Sequence, residues 1–261
     1  MLRSLFNYKK YIIRNAIGEL KYRYAGSALG FFWNLINPIL QILVYTFVFS
    51  NIMRAKMAGI ETPGGFSLYL CSGLFAWISF NECLIRGANT YIESSTYIKK
   101  LPIPIEVFVA QRTCSSLLNC LTNYVLIFVY AFILMGKVSL NWLFVLPILC
   151  LFLLMGFGLA LFLAAINTVF RDTVHIVNVF MLIWMWATPI VYAIEIIPEN
   201  FRFIMKFNIA YPFIHALQQI IVFGGMPDYS DMIKMCFFAV PCFVIGCITT
   251  HFSRSDIRDL I

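Results

Sequence analysis

The sequence predicts an all-α polytopic membrane protein with six transmembrane helices, an N-terminal amphipathic interface helix and external re-entrant helices between spans five and six. Composition is the first reason: of 261 residues, 61% are hydrophobic and 12% are charged, whereas soluble domains have about half apolar and a quarter charged residues. The mean hydropathy of +0.85 is the second. Third, charge-poor runs of about 20 residues, long enough to cross a bilayer, recur along the chain. They lie at residues 31–53, 66–86, 104–135, 142–168, 174–194 and 232–252.

The basic residues divide unequally between the two sides that alternating spans create. One side holds Arg3, Lys9, Lys10, Arg14, Lys21, Arg23, Arg86, Lys99, Lys100, Arg112, Arg171, Arg254 and Arg258. The other side holds Arg54, Lys56, Lys137, Arg202, Lys206 and Lys234. The positive-inside rule assigns the first set, and with it both termini, to the cytoplasm. The net charge of +7 therefore reflects topology, and we expect no nucleic-acid partner because no soluble domain carries a basic face.

Residues 1–24 have the periodicity of an amphipathic helix, with a basic stripe of Arg3, Lys10, Arg14 and Lys21. Its apolar face comprises Leu2, Leu5, Phe6, Ile12, Ile13, Ala16, Ile17 and Leu20. Such a helix lies in the cytoplasmic leaflet and is attracted by anionic lipid. A soluble helix packed on a partner is the alternative. Gly26 and Gly30 permit a sharp turn into the first span, so the amphipathic segment covers residues 1–26.

Two short cytoplasmic connectors carry candidate contact residues. Residues 91–103 contain Tyr97, Lys99 and Lys100 between serine or threonine caps and two prolines, which predicts one short helix. The connector after span four contains a charge pair, Arg171 and Asp172. We expect this pair to cap a helix end or to contact a partner, and simple anchoring at the membrane interface is the alternative.

The external segment 196–230 is apolar but interrupted by proline, histidine and glutamine. A seventh span would place the basic C-terminus outside, so we predict short helices that enter the membrane and return.

Motifs for catalysis and metal binding are missing from the sequence. It has no phosphate-binding loop ending in Lys-Ser or Lys-Thr, no H-E-x-x-H and no G-x-S-x-G. The three histidines are far apart, and the eight cysteines lie mostly in apolar runs without C-x-x-C spacing. We predict no catalytic residue, no metal and no cofactor bound by this chain.

Glu82 and Arg86 are four residues apart and are expected to pair near the cytoplasmic end of span two. No carboxylate lies near the middle of a predicted span, and this argues against an ion-driven carrier.

Four motifs in order carry a resemblance that covers nearly the whole chain. They are R-Y-x-G-S-x-L-G-x-x-W-x-x-x-x-P from Arg23, L-P-I-P from Leu101, N-x-x-x-R-D from Asn167 and T-P-I-V-Y from Thr188. Together they resemble the permease subunit of ABC-2 type polysaccharide exporters, closest in character to O-antigen export permeases.

The resemblance implies a homodimer of six-span subunits in the bacterial inner membrane, each joined to a cytosolic ABC ATPase that binds the ATP. It implies export of a polyprenyl-diphosphate-linked glycan, with residues 1–26 as the interface helix, residues 91–103 as the coupling helix and residues 196–230 as the gate region. We expect the glycan to contact aromatic side chains, Tyr45, Phe49, Phe180 and Trp184, since aromatic rings stack on sugars; lipid-facing or core packing is the alternative role. We expect Arg3, Lys10 and Arg14 to meet the diphosphate of the carrier lipid. We expect five residues to couple the permease to the ATPase: Tyr97, Lys99, Lys100, Arg171 and Asp172.

Three other functions remain open at this point. A capsule or teichoic-acid exporter and a drug or lipid exporter share the superfamily. A membrane enzyme that acts on lipid-linked sugars belongs to another class, and it would need paired acids or a metal cluster.

Overall fold

A computed structural model describes residues 1–52 and 64–260, which contain twelve α-helices and no strand. The helices are α1 (Leu2–Asn7), α2 (Lys9–Tyr22), α3 (Trp33–Thr46), α4 (Gly65–Glu93), α5 (Ser95–Lys100), α6 (Ile105–Met135), α7 (Val145–Val169), α8 (Thr173–Trp186), α9 (Glu199–Arg202), α10 (Tyr211–Gln218), α11 (Tyr229–Phe252) and α12 (Arg254–Leu260). A π-helix extends α3 through Phe47–Ile52 and another extends α10 through Gln219–Phe223. The predicted external positions Arg54 and Lys56 lie outside the described residues.

Five helices of the described ranges are long and apolar enough to cross a membrane. They correspond to predicted spans one, two, three, four and six, with bounds Gly30–Ser50, Gly65–Glu93, Ile105–Met135, Leu140–Val169 and Tyr229–Phe252. Predicted span five is shorter than expected: α8 has 14 residues, or about 21 Å, against a hydrocarbon core of about 30 Å. It ends at Trp186, not at residue 194, because Pro189 lacks an N–H and disfavours helix at the residue before it.

Helices α4 and α7 form the centre of the bundle. In α4, 78% of the most apolar stretch is buried and in α7 67%, whereas α3 and α11 bury only 17% each. Phe80 and Phe152 stack with ring centroids 4.4 Å apart. A Cβ added to Gly87 would lie 2.4 Å from the Cβ of Ala160, so small residues allow this close approach. Helices α3, α8 and α11 present exposed apolar faces.

The N-terminal helix turns into the first span at the predicted joint. Gly26 and Gly30 have φ values of 88° and 47°, in the left-handed region that glycine enters without strain. The amphipathic segment is interrupted at Tyr8, whose hydroxyl donates to the carbonyl of Pro102 at 3.4 Å. Residues 1–24 are thus two helices and a turn, not one continuous helix.

Both termini lie at the same end of the bundle, which we call the basic end and which holds α1, α2, α5 and α12. Asn167, at the end of α7, donates to the carbonyl of Ala88 at 3.0 Å. Arg254, which begins α12, pairs with the buried Glu106 at 2.6 Å. The opposite end contains the turn at Gly224, whose carbonyl accepts from the Asn141 amide at 2.7 Å.

Candidate functional site

Charged side chains at the basic end join the N-terminal helix to the centre of the bundle. Glu19 of α2 accepts from Arg86 of α4 and from Arg112 of α6, the latter at 2.8 Å. Glu82 of α4 accepts from Arg23, just beyond α2, and from Arg86 at 2.9 Å. The predicted pairing of Glu82 with Arg86 is therefore confirmed, but it is one part of a network that crosses three elements.

The network is mostly shielded from solvent. The Glu19 and Glu82 side chains are 11% and 14% exposed. Each arginine that contacts Glu19 also contacts a second carboxylate, Glu82 for Arg86 and Glu93 for Arg112. Buried charges are tolerated when they are paired in this way. A movement of α2 would therefore be transmitted to α4 and α6.

The apolar face of α2 serves two environments. Ile12, Ala16 and Leu20 are buried where α2 packs on α6. Ile13 and Ile17 are 49% and 42% exposed on the neighbouring side. The helix is thus attached to the bundle and still presents an apolar edge.

Helix α5 projects its predicted contact residues away from the bundle. The helix covers Ser95–Lys100, a shorter segment than the predicted residues 91–103. Tyr91 belongs instead to the last turn of α4, where it is fully buried. Ile98 is 2% exposed and anchors the helix, while Tyr97 is 62% exposed and Lys99 and Lys100 are also exposed.

The turn between α7 and α8 differs in part from prediction. Arg171 and Asp172 are exposed, and among the described residues they form no ion pair; Asp172 precedes α8 but makes no side-chain cap. The ordered member of the motif is Asn167, which is fully buried and bonds Ala88 and Asn89 near the end of α4. This amide ties the Arg171 turn to the helix that leads into α5.

A scan against family models matches residues 12–222 to the ABC-2 type transporter family. The chain belongs to this family. It is 30% identical over 191 residues to the O-antigen export system permease protein RfbA of Klebsiella pneumoniae, and the aligned residues make up 73% of this chain and 71% of that protein. It is 30% identical over 248 residues to the RfbA permease of Myxococcus xanthus, covering 92% and 91%. It is 19% identical over 225 residues to the polysialic acid transport protein KpsM of Escherichia coli, covering 84% and 83%.

Family membership and the five apolar helices identify a multi-pass membrane protein that serves as the permease of an ABC-2 type transporter. The resemblance noted in the sequence is thereby confirmed.

The predicted aromatic contacts of this ABC-2 permease lie in two separate groups. Phe49 packs on Phe66 with centroids 4.9 Å apart, and Tyr45 of α3 is half-buried beside the core. Phe180 is 56% exposed on α8, with its ring 5.3 Å from that of Trp184. Among the described residues, no ring contact joins the α3 group to the α8 group.

Trp184 is more firmly held than the other three aromatic residues. Its ring meets Trp77 edge-on at 5.3 Å, and its Nε1 donates to Asn208 at 3.0 Å. Asn208 also accepts from the backbone N–H of Ala210 and donates to Thr188 at 2.9 Å. This buried amide fixes the end of α8 to the segment that enters α10.

The predicted gate region contains the helices α9 and α10. Together, α10 and its π extension have 13 residues, about 20 Å at the rise of an α-helix, too short to cross a bilayer. Phe213, Ile214 and Leu217 are fully buried, and α10 packs on α4, α7 and α11. The helix therefore enters the bundle and ends at Gly224, whose φ is 66°.

The predicted headgroup residues lie on two helices. Lys10 and Arg14 line one groove along α2 together with Lys21, and the groove has a volume of about 650 Å³. Arg3 lies on the separate helix α1 and is exposed.

Sequence reasoning missed the role of Glu19, Asn167 and Asn208. Their partners are distant along the chain: Arg112 lies 93 residues from Glu19, and Ala88 lies 79 residues from Asn167. The available signal was a polar residue beside an apolar stretch, since such a residue usually has a partner.

Proposed function

We propose that this permease, as a homodimer with two cytosolic ATPase subunits, exports a polyprenyl-diphosphate-linked glycan of O-antigen type across a bacterial inner membrane. Both termini and α5 would face the cytoplasm. The observation that carries the cargo assignment is the relationship to O-antigen export permeases, which extends over 92% of the chain in one case. A capsule glycan is the second candidate, favoured by the likeness to the polysialic acid transport protein.

Helix α5 is the proposed contact with the ATPase. Ile98 anchors it, and Tyr97, Lys99 and Lys100 project outward. Arg171 and Asp172, on the turn held by Asn167, would extend the same contact surface. Force applied to α5 would pass directly into α4, because only Ser94 separates the two helices.

The ion-pair network would carry this movement to α2. Since Arg86 contacts both Glu82 and Glu19, a shift of α4 changes the position of the N-terminal helix. The packed bundle would then move between discrete arrangements, as tightly packed interfaces do. No step of this process forms a covalent bond to the chain.

The cargo would contact the exposed faces of α3 and α8. Phe180 on α8, Tyr45 on α3 and Phe49 on the π-helix that extends α3 would offer rings to the sugars. Trp184 would position this surface from behind, given its packing on Trp77 and its bond to Asn208. Lys10 and Arg14, with Arg3 on α1, would attract the diphosphate of the carrier lipid.

Deletion of the permease gene in its native organism tests the proposal. We expect the cell surface to lose one glycan while the lipid-linked form accumulates in the inner membrane. Reintroduction of the wild-type chain should restore the surface glycan. An unchanged surface glycan after deletion would contradict the proposal, and loss of a capsule in place of O-antigen would favour the second candidate.

A further inference from the structure

A small polar cavity lies between α3, α4 and α6 beside the ion-pair network. Its volume is about 180 Å³, several times the roughly 30 Å³ that one water molecule occupies in the liquid. Five side-chain amides line it: Asn34, Asn37 and Gln41 from α3, and Asn119 and Asn123 from α6. The α3 residues are spaced three and four apart and the α6 residues four apart, so each set lies on one helical face.

Two of the five amides, Asn34 and Asn123, are buried, and buried amides are costly for a membrane protein unless they have partners. A side-chain amide has two N–H donors and an oxygen acceptor, and burial without hydrogen bonds is unfavourable. Polar residues within spans are therefore rare and usually functional.

Several of these amides have unused hydrogen-bonding capacity. Asn34 is 6% exposed and donates to the Leu20 carbonyl at 3.3 Å, but its Oδ1 is buried without a partner. Asn123 is 7% exposed. Within the described residues, the buried Asn123 side chain makes no hydrogen bond, and neither does Gln41, which is exposed at the mouth of the cavity. Both donors and acceptors are thus available to a molecule in the cavity.

The charges beside the cavity favour a neutral occupant. Arg23 and Glu82 both line it, and they are paired with each other. The Glu82 carboxylate would repel a phosphate, and the paired guanidinium adds no net positive charge. Trp33 and Phe75 contribute ring surface to the same wall. Paired donors and acceptors next to aromatic rings match the hydroxyls and the apolar face of a sugar.

We propose that this amide cavity is a binding site for one sugar unit of the exported glycan on the cytoplasmic side of the permease. The assignment rests on the proposed export function and names a contact beyond the aromatic side chains of α3 and α8. Asn119 donates to Glu82 at 3.0 Å, so an occupant that contacts Asn119 is one bond from the network that holds α2. Binding in the cavity is therefore linked to the position of the N-terminal helix.

The first test measures export in cells that depend on variants of this chain. Asn34→Leu and Asn123→Leu keep a branched side chain with the same number of heavy atoms but remove the hydrogen bonds to the sugar, so surface glycan should fall about tenfold or more. Thr122→Val is the matched control on α6, because its hydroxyl bonds only the Leu118 carbonyl of its own helix. Immunoblots of the membrane fraction confirm equal amounts of each variant.

The second test reports occupancy directly and does not depend on export. The full chain carrying Gln41→Cys, with its ATPase partner and without nucleotide, is placed in inner membranes from two strains. One strain makes the lipid-linked glycan and the other lacks its first sugar transferase. We expect a small water-soluble maleimide to label position 41 several-fold more slowly in membranes that contain the glycan, as measured by peptide mass spectrometry.

The outcomes separate this site from the export function. Equal labelling of position 41 in the two membranes would overturn the sugar site, even if the leucine variants lose export. Normal export by both leucine variants would overturn it as well, and both results leave the export proposal intact. A surface glycan that persists after deletion of the gene would instead overturn the export function, and the sugar site with it.

Discussion

Replacement of Glu19 by glutamine should release α2 from the bundle. The carboxylate accepts from Arg86 and Arg112, and breaking a buried ion pair by removing one partner costs about 3–5 kcal/mol. The Arg86 and Arg112 side chains are 27% and 19% exposed, and in the variant they still pair with Glu82 and Glu93, respectively. We therefore expect the attachment of α2 to lose less free energy, about 1–3 kcal/mol. This corresponds to an increase of about 5- to 150-fold in the opening equilibrium of the helix.

Hydrogen exchange of the purified protein in detergent measures this effect. Amides of α2 should exchange faster in Glu19→Gln than in wild type, while those of the central helix α7 should be unchanged. Glu93→Gln is the matched control, since Glu93 pairs with the same Arg112 but is 51% exposed, and exposed pairs contribute about 0–1 kcal/mol. Equal exchange of α2 in the two variants would refute the role of Glu19 as the attachment point.

Three further outcomes are expected. Gly158→Ala should lower the thermal stability and the yield of folded protein, because the added Cβ would lie 2.3 Å from the Cys242 carbonyl oxygen. Gly18→Ala is the control, because a Cβ there has no neighbour within 4 Å. Equal melting temperatures of the two variants would contradict the close packing at Gly158. Asn208→Leu removes the acceptor of the Trp184 N–H and the amide that donates to the Thr188 hydroxyl, so proteolysis of the intact permease within the external segment should increase. An unchanged digestion pattern would oppose the anchoring role. Phe180→Ala should reduce surface glycan at normal permease levels, while Phe237→Ala, an exposed ring on α11, should leave export normal; equal export by both would exclude Phe180 as a cargo contact.

Local sequence signals predicted much of the architecture. The glycines at 26 and 30 indicated the turn between the N-terminal segment and the first span, and both adopt positive φ. A serine or threonine cap and two prolines indicated a short helix around Tyr97, which is present as α5, although Ser94 at its start makes no side-chain cap bond. The Glu82 and Arg86 pair followed from helical spacing. Each of these features depends on residues only a few positions apart, where pattern reasoning is strong.

Features that depend on tertiary contacts were not predicted. The break at Tyr8 accompanies a bond to Pro102, 94 residues away. The end of α8 at Trp186 was missed because hydropathy continues through residue 194, whereas Pro189 disfavours the helix. The network around Glu19 joins three elements that are distant in sequence. The expectation that all four aromatic residues contact the glycan stays a prediction, since no ring contact among the described residues joins the α3 group to the α8 group.

Crosslinking from Tyr97 tests the central claim, that this chain is driven by a separate ATPase through α5. A photo-crosslinking residue at position 97, in the full chain in native membranes, should capture a cytosolic protein with a phosphate-binding loop that also co-purifies with the permease at near one-to-one ratio. The same residue in place of Tyr229, which is 79% exposed at the opposite end of the bundle, should not capture it. Purification of the chain alone, with no adduct from position 97, would contradict the account.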